Sequence, residues 1–351
     1  GPLCGLRPDR RRGDDSPMKQ VILDVDTGSD DAIAIMLAMA APSLEVLGIC
    51  TVWGNKPVEN TTENTLRVLE AIGADCPVYR GCPSSIIKHL QPNRRKIKTA
   101  EKPGRDRDGR PPEIHQDLIG SVPSTRRPEQ TDAVHFYIDC LLRAERKVTV
   151  VLLGPQTNLA LALTICPEIR KNIEEIVIMG GGKSRTNATI AAEFNIFQDP
   201  EAALIVAESG CSLSYVPLDA THQACVGPAE IRRLRELDTA AGQLAADLAQ
   251  VMLRAYRIIQ NAEEVPLHDA LAVCSVIDPH VLRDRRFTRV DIDCGGDYAD
   301  GQTLVDARAY PDKLPNAWFA LGADGALFRE MLFTYLSLIH ISEPTRQAEI
   351  S

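Results

Sequence analysis

Four carboxylates fall within eight residues near the start of the chain, at Asp24, Asp26, Asp30 and Asp31. Such neighbours repel one another unless they bind a cation or lie at a helix N-terminus, where the helix dipole favours negative charge. Gly28 permits a tight turn between them, and Ser29 or Asp30 is predicted to cap a helix that begins near Asp31. Oxygen ligands without nearby Cys or His pairs suit Ca²⁺ or Mg²⁺, and not zinc. The cluster therefore predicts a site for a divalent cation.

Other polar residues follow the predicted strands in the same way. They are Trp53-Gly54-Asn55, residues 154–158, residues 180–182, Asn187, Glu193-Phe194-Asn195 and Asp219. Ligands of an open parallel sheet bind outside the carboxyl ends of its strands, so we expect these groups to converge on one rim. His268-Asp269 comes late in the chain, ahead of an apolar helix, and by itself is a weak signal because a capping Asp beside a surface His is common.

The elements that must position these residues are apolar, β-branched runs that alternate with helical patterns. The predicted strands are 20–23, 44–52, 147–153, 175–179 and 212–217, with a last candidate at 287–293. The predicted helices are 31–40, 59–72, 131–146, 156–166 and 200–209, followed by a helix-rich segment at 228–262. Strands that are apolar throughout are typical of a sheet covered on both faces. The alternation predicts an α/β fold: an open, mostly parallel, doubly wound, Rossmann-like sheet with helices on both faces, in a single large domain.

Composition excludes several classes of protein. The 351 residues are 44% hydrophobic, 25% charged and 5% aromatic, with a formal net charge of −9, which is typical of a globular chain and not of a basic protein that coats nucleic acid. This composition leads us to expect no nucleic-acid partner. We also find no apolar run long enough to span a bilayer, so we expect no membrane partner. The ten cysteines form no C-x-x-C pair and no cluster, which argues against a disulfide scaffold and favours a reducing, cytoplasmic setting.

Three segments depart from the pattern of the predicted α/β domain, which spans residues 18–335. Residues 1–17 are interpreted as a leader that is disordered or derived from an expression vector, and residues 336–351 as a tail foreign to the fold. Residues 88–127 carry eleven Lys and Arg against five acidic residues. Because this segment lacks the aromatic residues that would stack on bases, it is predicted to be a solvated loop or an active-site lid.

Seven short motifs occur in one order between residues 20 and 273. They are Asp24-x-Asp26-x-Gly28-x-Asp30-Asp31, Thr51-Val52-x-Gly54-Asn55, Thr157-Asn158-Leu159-Ala160, Met179-Gly180-Gly181, Ala192-Glu193-Phe194-Asn195, Pro217-Leu218-Asp219-x-Thr221-His222 and Leu267-His268-Asp269. In this order they resemble the nucleoside hydrolases, the calcium-dependent N-ribohydrolases of the inosine–uridine type. The resemblance implies hydrolysis of ribonucleosides to free base and ribose by a homodimer or homotetramer.

The resemblance also implies roles for individual residues. The Ca²⁺ ligands would be Asp26, Asp30, Asp31, Asp269 and the backbone carbonyl of Leu153, where the family often has Thr. Asp26 would also be the general base toward the calcium-bound water, and His268 the acid or electrostatic partner of the leaving base. Substrate contacts would come from Asp30, Asn55, Asn187, Glu193 and Asn195. Tyr256 is either a platform for the base or an ordinary half-buried helix tyrosine.

Two alternatives stay open on sequence alone. Asp24-Val25-Asp26 also resembles the acidic pair of haloacid-dehalogenase-like phosphatases, although Asp30-Asp31 and the Asn-rich motifs have no use there. A non-catalytic nucleoside or Ca²⁺ binding protein is the second alternative, although it would have little reason to keep Asp26. The family's usual His-Gly-x-x-Gly stretch is replaced by residues 115–120, which leaves the role of His115 open.

Overall fold

A computed structural model of the chain describes residues 18–91, 93–94 and 104–339. The predicted leader 1–17, part of the basic segment 88–127 and most of the tail 336–351 lie outside the described residues. The strands of the described part are β1 (Lys19–Val25), β2 (Leu44–Thr51), β3 (Val78–Arg80), β4 (Val148–Leu152), β5 (Ile173–Met179), β6 (Leu213–Val216), β7 (Cys225–Val226), β8 (Val265–Pro266), β9 (Leu282–Ile292), β10 (Thr303–Asp306) and β11 (Ala317–Ala323).

Helices of very different lengths connect these strands. They are α1 (Ser29–Ala40), α2 (Val58–Ala71), α3 (Ala133–Arg143), α4 (Thr157–Ile165), α5 (Phe194–Gln198), α6 (Pro200–Ala207), α7 (Leu218–Thr221), α8 (Pro228–Glu236), α9 (Ala240–Gln260), α10 (His268–Ile277) and α11 (Gly325–Leu336). Short 3₁₀ turns lie at Lys88–Leu90, Pro167–Asn172 and Pro279–Val281. None of the helices in the described ranges has the length and apolar character needed to cross a bilayer.

One large sheet organises the fold, in the strand order β10-β9-β11-β6-β5-β4-β1-β2-β3. From β11 through β3 every neighbouring pair is parallel, whereas β9 runs antiparallel to both β11 and β10. Strands β2 and β3 lie on one side of β1, and β4, β5 and β6 lie in order on the other side. The prediction of an open, mostly parallel, doubly wound sheet is therefore confirmed.

Alternation along β1 shows how the sheet separates two cores. Val21, Leu23 and Val25 pack into a core with α1, α2, α9, α10 and α11, while Ile22 packs on the opposite face with α3, α4 and α6. All four side chains are fully buried. Successive strand residues point to opposite faces, so a strand covered on both sides is apolar at nearly every position, as the sequence pattern indicates.

Several elements of the structure differ from the predicted ones. The predicted strand 287–293 is part of a longer strand, β9, whose exposed Arg and Asp residues hide the strand pattern. Strand β11 contains a glycine, and β3 and β10 have only three and four residues, so sequence analysis missed all three. Helix α11 ends at Leu336, whose side chain is fully buried, close to the residue where the predicted tail begins.

The start of helix α1 differs from its prediction as well. The helix begins at Ser29, and neither Ser29 nor Asp30 caps it. Gly28 is the N-cap, and the Asp31 carboxylate reaches back to accept a hydrogen bond from the Gly28 N–H at 3.1 Å. A carboxylate at the third helical position satisfies an N–H that has no partner within the helix.

A few side chains of the basic segment 88–127 connect it to the rest of the fold. Lys88 and Arg94 are buried and form ion pairs with Asp300. Arg126 donates a hydrogen bond to the carbonyl of Ala74, and Ile114 lines the cavity described below. Two cations of this segment are therefore structural, whereas residues 104–111 and 120–123 are mostly exposed.

Candidate active site

The candidate site lies where the order of the strands reverses. Strands β1 and β4 are parallel neighbours, yet the chain continues from them toward opposite edges of the sheet. Loops that diverge in this way leave a crevice at the carboxyl end of the sheet, which is where open α/β sheets bind ligands. A cavity of about 300 Å³ is found there. It is lined by Asp30, Asn55, Ile114, His115, Leu153, Met179, Asn187, Ala188, Glu193, Phe194, Asn195, Met252, Tyr256, His268 and Asp269.

A carboxylate cluster forms one wall of the cavity. Asp30 and Asp31 lie in the first turn of α1 and Asp269 lies in the first turn of α10, two helices that pack against each other. Oxygen atoms of the three carboxylates lie within 4.8 Å of one another. Both helix N-termini favour negative charge, but in the described part of the chain no Lys or Arg side chain pairs with this cluster.

Asp26 lies beside this cluster, one residue beyond the end of β1. Its N–H donates to Asp31 Oδ1 at 3.2 Å, and its Oδ2 accepts from the Asn55 N–H at 2.7 Å. Its other oxygen, Oδ1, is buried without a hydrogen-bond partner among the described residues. Glycines make room for this carboxylate: a Cβ at Gly154 would lie 2.9 Å from Oδ1, and one at Gly54 would collide with Oδ2.

Burial makes the ionised state of these carboxylates unfavourable. Desolvation, followed by the neighbouring charge of Asp31, raises the pKa of Asp26 well above its usual value and that of Asp30 to about 7. The pKa of Asp31 is raised by burial, and that of Asp269 is raised strongly by burial and then by Asp30. Four buried carboxyl groups of like charge are stable together when a cation neutralises them.

Asp24, the first of the four clustered acids in the sequence, does not join the other three. Its side chain points to the opposite face of the sheet, where it accepts hydrogen bonds from Tyr137 Oη at 2.9 Å and Asn158 Nδ2 at 3.2 Å. Burial raises the pKa of Asp24 to about 7. Of the four acids that are close in sequence, Asp24 therefore lies outside the cluster, and the cluster contains Asp269, as in the ligand set that the family resemblance implies.

Residues expected to contact ribose line the facing wall, and the protein already uses part of their hydrogen-bonding capacity. The Glu193 carboxylate caps α5 and accepts from the N–H groups of Gly181, Asn195 and Ile196. Asn195 donates through Nδ2 to the carbonyls of Leu153 and Met179. Burial raises the pKa of Glu193 to about 7.

Two further asparagines border the same space. Asn55 donates through Nδ2 to the carbonyl of Asp26 and to Asp31 Oδ2, so its amide also orders the carboxylate cluster. Asn187 is exposed, and its Oδ1 accepts from the Phe194 N–H at 2.8 Å, while its Nδ2 has no hydrogen-bond partner among the described residues. In each of these two side chains one polar atom is committed to the protein and one is left for a ligand.

The cavity is also lined by imidazole and aromatic groups. His268 is the first residue of α10, and its Nδ1 lies 2.7 Å from Thr221 Oγ1. Burial lowers the pKa of His268 to about 3, so its imidazole is neutral near pH 7. Tyr256, on α9, is half-buried and lines the cavity, so its placement is compatible with a contact to a nucleobase.

Several cavity residues were missed or left open by sequence analysis. Met179 and Met252 have the spacing of core residues, and no local signal distinguishes a cavity-facing methionine from a core one. His115 accepts a hydrogen bond from the Ser29 N–H through Nδ1, which also lies 4.0 Å from Asp30 Oδ1. The imidazole that sequence analysis left without a role thus lies at the edge of the carboxylate cluster.

Known proteins share both the sequence pattern and the fold. A model of the inosine-uridine preferring nucleoside hydrolase family matches residues 21–330. The pyrimidine-specific ribonucleoside hydrolase RihB of Escherichia coli O157:H7 (strain EC4115 / EHEC) is 35% identical over 315 residues, which are 88% of this chain and 94% of RihB. A plant nucleoside hydrolase, the PpNRh1 enzyme, superposes with a TM-score of 0.78 at 28% identity, over 92% of this chain and 99% of the plant chain. A purine-preferring ribonucleoside hydrolase from Gardnerella vaginalis superposes with a TM-score of 0.79 at 31% identity, over 92% and 100% of the two chains.

These similarities decide between the alternatives that the sequence left open. The family match covers all seven motifs, including the Asn-rich ones that a haloacid-dehalogenase-like phosphatase would not need. The relatives are named as hydrolases, which also argues against a non-catalytic binding protein. The chain belongs to the inosine-uridine preferring nucleoside hydrolase family, and it is an enzyme that hydrolyses the N-glycosidic bond of ribonucleosides.

Proposed function

We propose that the chain performs this hydrolysis with a calcium ion held by the carboxylates of Asp26, Asp30, Asp31 and Asp269 and by the carbonyl of Leu153. The buried Oδ1 of Asp26, which lacks a hydrogen-bond partner among the described residues, is the observation that carries the proposal. Oxygen ligands of this kind fit a hard cation. The Leu153 carbonyl already accepts from Asn195, but a carbonyl oxygen has a second lone pair for a metal. Bound there, calcium would lower the pKa of a coordinated water and hold ribose hydroxyls.

The residues of the chain account for the rest of the reaction. The Asp26 carboxylate accepts the proton of the water that attacks the anomeric carbon, and the carboxylate cluster stabilises the positive charge that develops on the ribosyl group. The ribose is oriented by the remaining hydrogen-bonding capacity of Glu193, Asn195, Asn55 and Asn187. As the bond between ribose and base breaks, its electron pair moves to the base, which His268 stabilises with a hydrogen bond.

The relatives differ in the bases that their names state. RihB is pyrimidine-specific, whereas the Gardnerella vaginalis enzyme is purine-preferring. We propose that either class of base can be accommodated between Tyr256 and His268, because an aromatic ring stacks on any base. The resemblance further supports a homodimer or homotetramer, which sedimentation equilibrium tests. The nine described cysteines are free, which supports a reducing, cytoplasmic setting.

The test is release of free base from a panel of inosine, guanosine, adenosine, uridine and cytidine. We expect turnover that a chelator abolishes and that calcium restores better than magnesium. Turnover that persists in the metal-free protein would contradict the role of the carboxylate cluster. Asp24→Asn is a matched control for Asp26→Asn, because it alters a buried acid of the same segment that lies on the other face of the sheet.

A further inference from the structure

One hydrogen bond joins His268, which is proposed to stabilise the departing base, to a side chain that has no role so far. Thr221 ends helix α7, which follows β6, and His268 begins helix α10, 47 residues later. Their atoms Oγ1 and Nδ1 lie 2.7 Å apart. Thr221 is fully buried and His268 is 9% exposed, so water does not compete for this contact.

The direction of this hydrogen bond follows from the partners of the hydroxyl. Among the described residues, the Thr221 hydroxyl hydrogen has no acceptor other than His268 Nδ1. If Nδ1 carried the proton and donated it to Oγ1, the hydroxyl hydrogen would be buried without an acceptor, which is unfavourable. The stable arrangement therefore has Thr221 Oγ1–H donating to an unprotonated Nδ1. A neutral imidazole that is unprotonated on Nδ1 carries its proton on Nε2.

The second ring nitrogen is left for the cavity. His268 lines the cavity, and its Nε2 has no protein partner in the described part of the chain. Nε2 is not one of the fully buried polar atoms that lack a partner, so it is accessible from the cavity. The ring of His222 packs edge-on against that of His268, with centroids 5.5 Å apart, and restrains its orientation.

We propose that Thr221 is a positioning residue for the hydrolysis of nucleosides, holding His268 with its proton on Nε2 so that the ring presents an N–H to the departing base. The proposal rests on the role of His268 given under the proposed function. Without the hydroxyl, Nδ1 loses its donor and both tautomers become populated, so only part of the enzyme presents the required N–H.

Two substitutions separate the hydroxyl from the volume of the side chain. Thr221→Val keeps the shape and removes the hydroxyl, and Thr221→Ser keeps the hydroxyl. Each is assayed with inosine and with p-nitrophenyl riboside, whose leaving group departs as a stable anion without a hydrogen-bond donor. For Thr221→Val we expect kcat for inosine to fall roughly 10- to 100-fold. We expect little change in KM for inosine and little loss with p-nitrophenyl riboside, whereas Thr221→Ser restores inosine turnover.

A spectroscopic measurement reports the tautomer without relying on turnover. In ¹⁵N NMR spectra of the intact protein, we expect Nε2 of His268 to be protonated and Nδ1 to be unprotonated, with the signals assigned by their loss in His268→Ala. In Thr221→Val the two shifts should move toward each other as the tautomers mix. A protonated Nδ1 in the unsubstituted protein would overturn the proposal.

The same assays distinguish failure of this inference from failure of the proposed function. If His268→Ala loses inosine turnover selectively while Thr221→Val keeps it, the role of His268 stands and that of Thr221 is refuted. An equal loss on both substrates in Thr221→Val would show a general structural role and would also refute the proposal. If His268→Ala hydrolyses inosine normally, the leaving-group role of His268 itself fails.

Discussion

Two clusters of buried charged side chains are built in opposite ways. In the first, Asp26, Asp30, Asp31 and Asp269 bring together four acids and no paired Lys or Arg among the described residues. In the second, Asp300 accepts from Arg94 Nη2 at 2.6 Å and lies 3.1 Å from Lys88 Nζ, while Arg94 also pairs with Glu201. The second cluster contains two cations and two anions and is neutral as it stands.

The difference separates a binding site from a structural contact. In the second cluster, the attraction between opposite charges offsets the cost of removing them from water, so the cluster needs no ligand. A set of like charges is costly to bury, so its persistence in the fold is explained by what it binds. The two clusters lie close in the fold: Lys88 also donates to the carbonyl of Phe197 on α5, the helix that carries Asn195. Substitutions in the two should affect different properties of the protein.

The largest effect on activity is expected from Asp26→Asn, which removes the proposed base from the first cluster. We expect kcat to fall roughly 10²- to 10⁴-fold, because an amide cannot accept the proton of the attacking water. Steady-state assays of base release measure the change, and Asp300→Asn serves as the matched buried control from the second cluster. Comparable losses of kcat in the two variants would erase the functional distinction between the clusters.

The largest effect on stability is expected from Asp300→Asn. Lys88 and Arg94 would then lie buried beside a neutral amide, and we expect a loss of about 3–5 kcal/mol in the free energy of unfolding. Urea denaturation, monitored by circular dichroism, measures this change. A loss below about 1 kcal/mol would mean that the second cluster is not a structural ion-pair network.

Metal binding should distinguish the clusters by its linkage to unfolding. If calcium binds only the folded chain, its addition at a hundred times its Kd raises the free energy of unfolding by about 2.7 kcal/mol. We expect Asp269→Asn to lose most of this calcium-dependent increase. Asp300→Asn should keep the whole increase, although its free energy of unfolding without calcium is lower. Thermal unfolding with calcium and with chelator provides the measurement, and an increment that survives in Asp269→Asn would exclude Asp269 as a ligand.

The smallest effect is expected at Leu153, which is proposed to join the first cluster through its backbone alone. Leu153→Val keeps the carbonyl and deletes one buried methylene, so we expect the unfolding free energy to fall by about 1 kcal/mol. Calcium affinity and kcat should stay within about twofold of the unsubstituted protein, since a factor of two is less than 0.5 kcal/mol. Calcium titration calorimetry is the check, and a larger loss of affinity would show that the side chain shapes the site.

The predictable part of the fold was its central sheet. Buried parallel strands are apolar on both faces, and β1, β2, β4, β5 and β6 all carry that pattern. Strand β9 was only partly predicted because its outer face carries Arg and Asp residues, as an antiparallel strand near the sheet edge can. The short β3 and β10 are defined by their neighbours more than by their own residues.

The predictable part of the site was its residue types. The motifs contain Asp26, Asp30, Asp31, Asp269, Asn55 and Asn195, and all of these residues lie in or beside one cavity. What the motifs did not contain was the direction of each side chain. Asp24 turns toward Tyr137 and Asn158, and Lys88 is buried within a segment whose composition is that of a solvated loop.

The sequence by itself determined what is local. The spacing of Asp30 and Asp31 after a buried strand places both in the first turn of a helix, because helix geometry fixes neighbouring side chains. Only the tertiary structure brought Asp269 to within 4.8 Å of them, joined Thr221 to His268, and placed His115 at the edge of the cluster. Those contacts depend on how α1 and α10 pack and on how the loops close over the sheet, which is a balance of burial over the whole chain and not a property of any short segment.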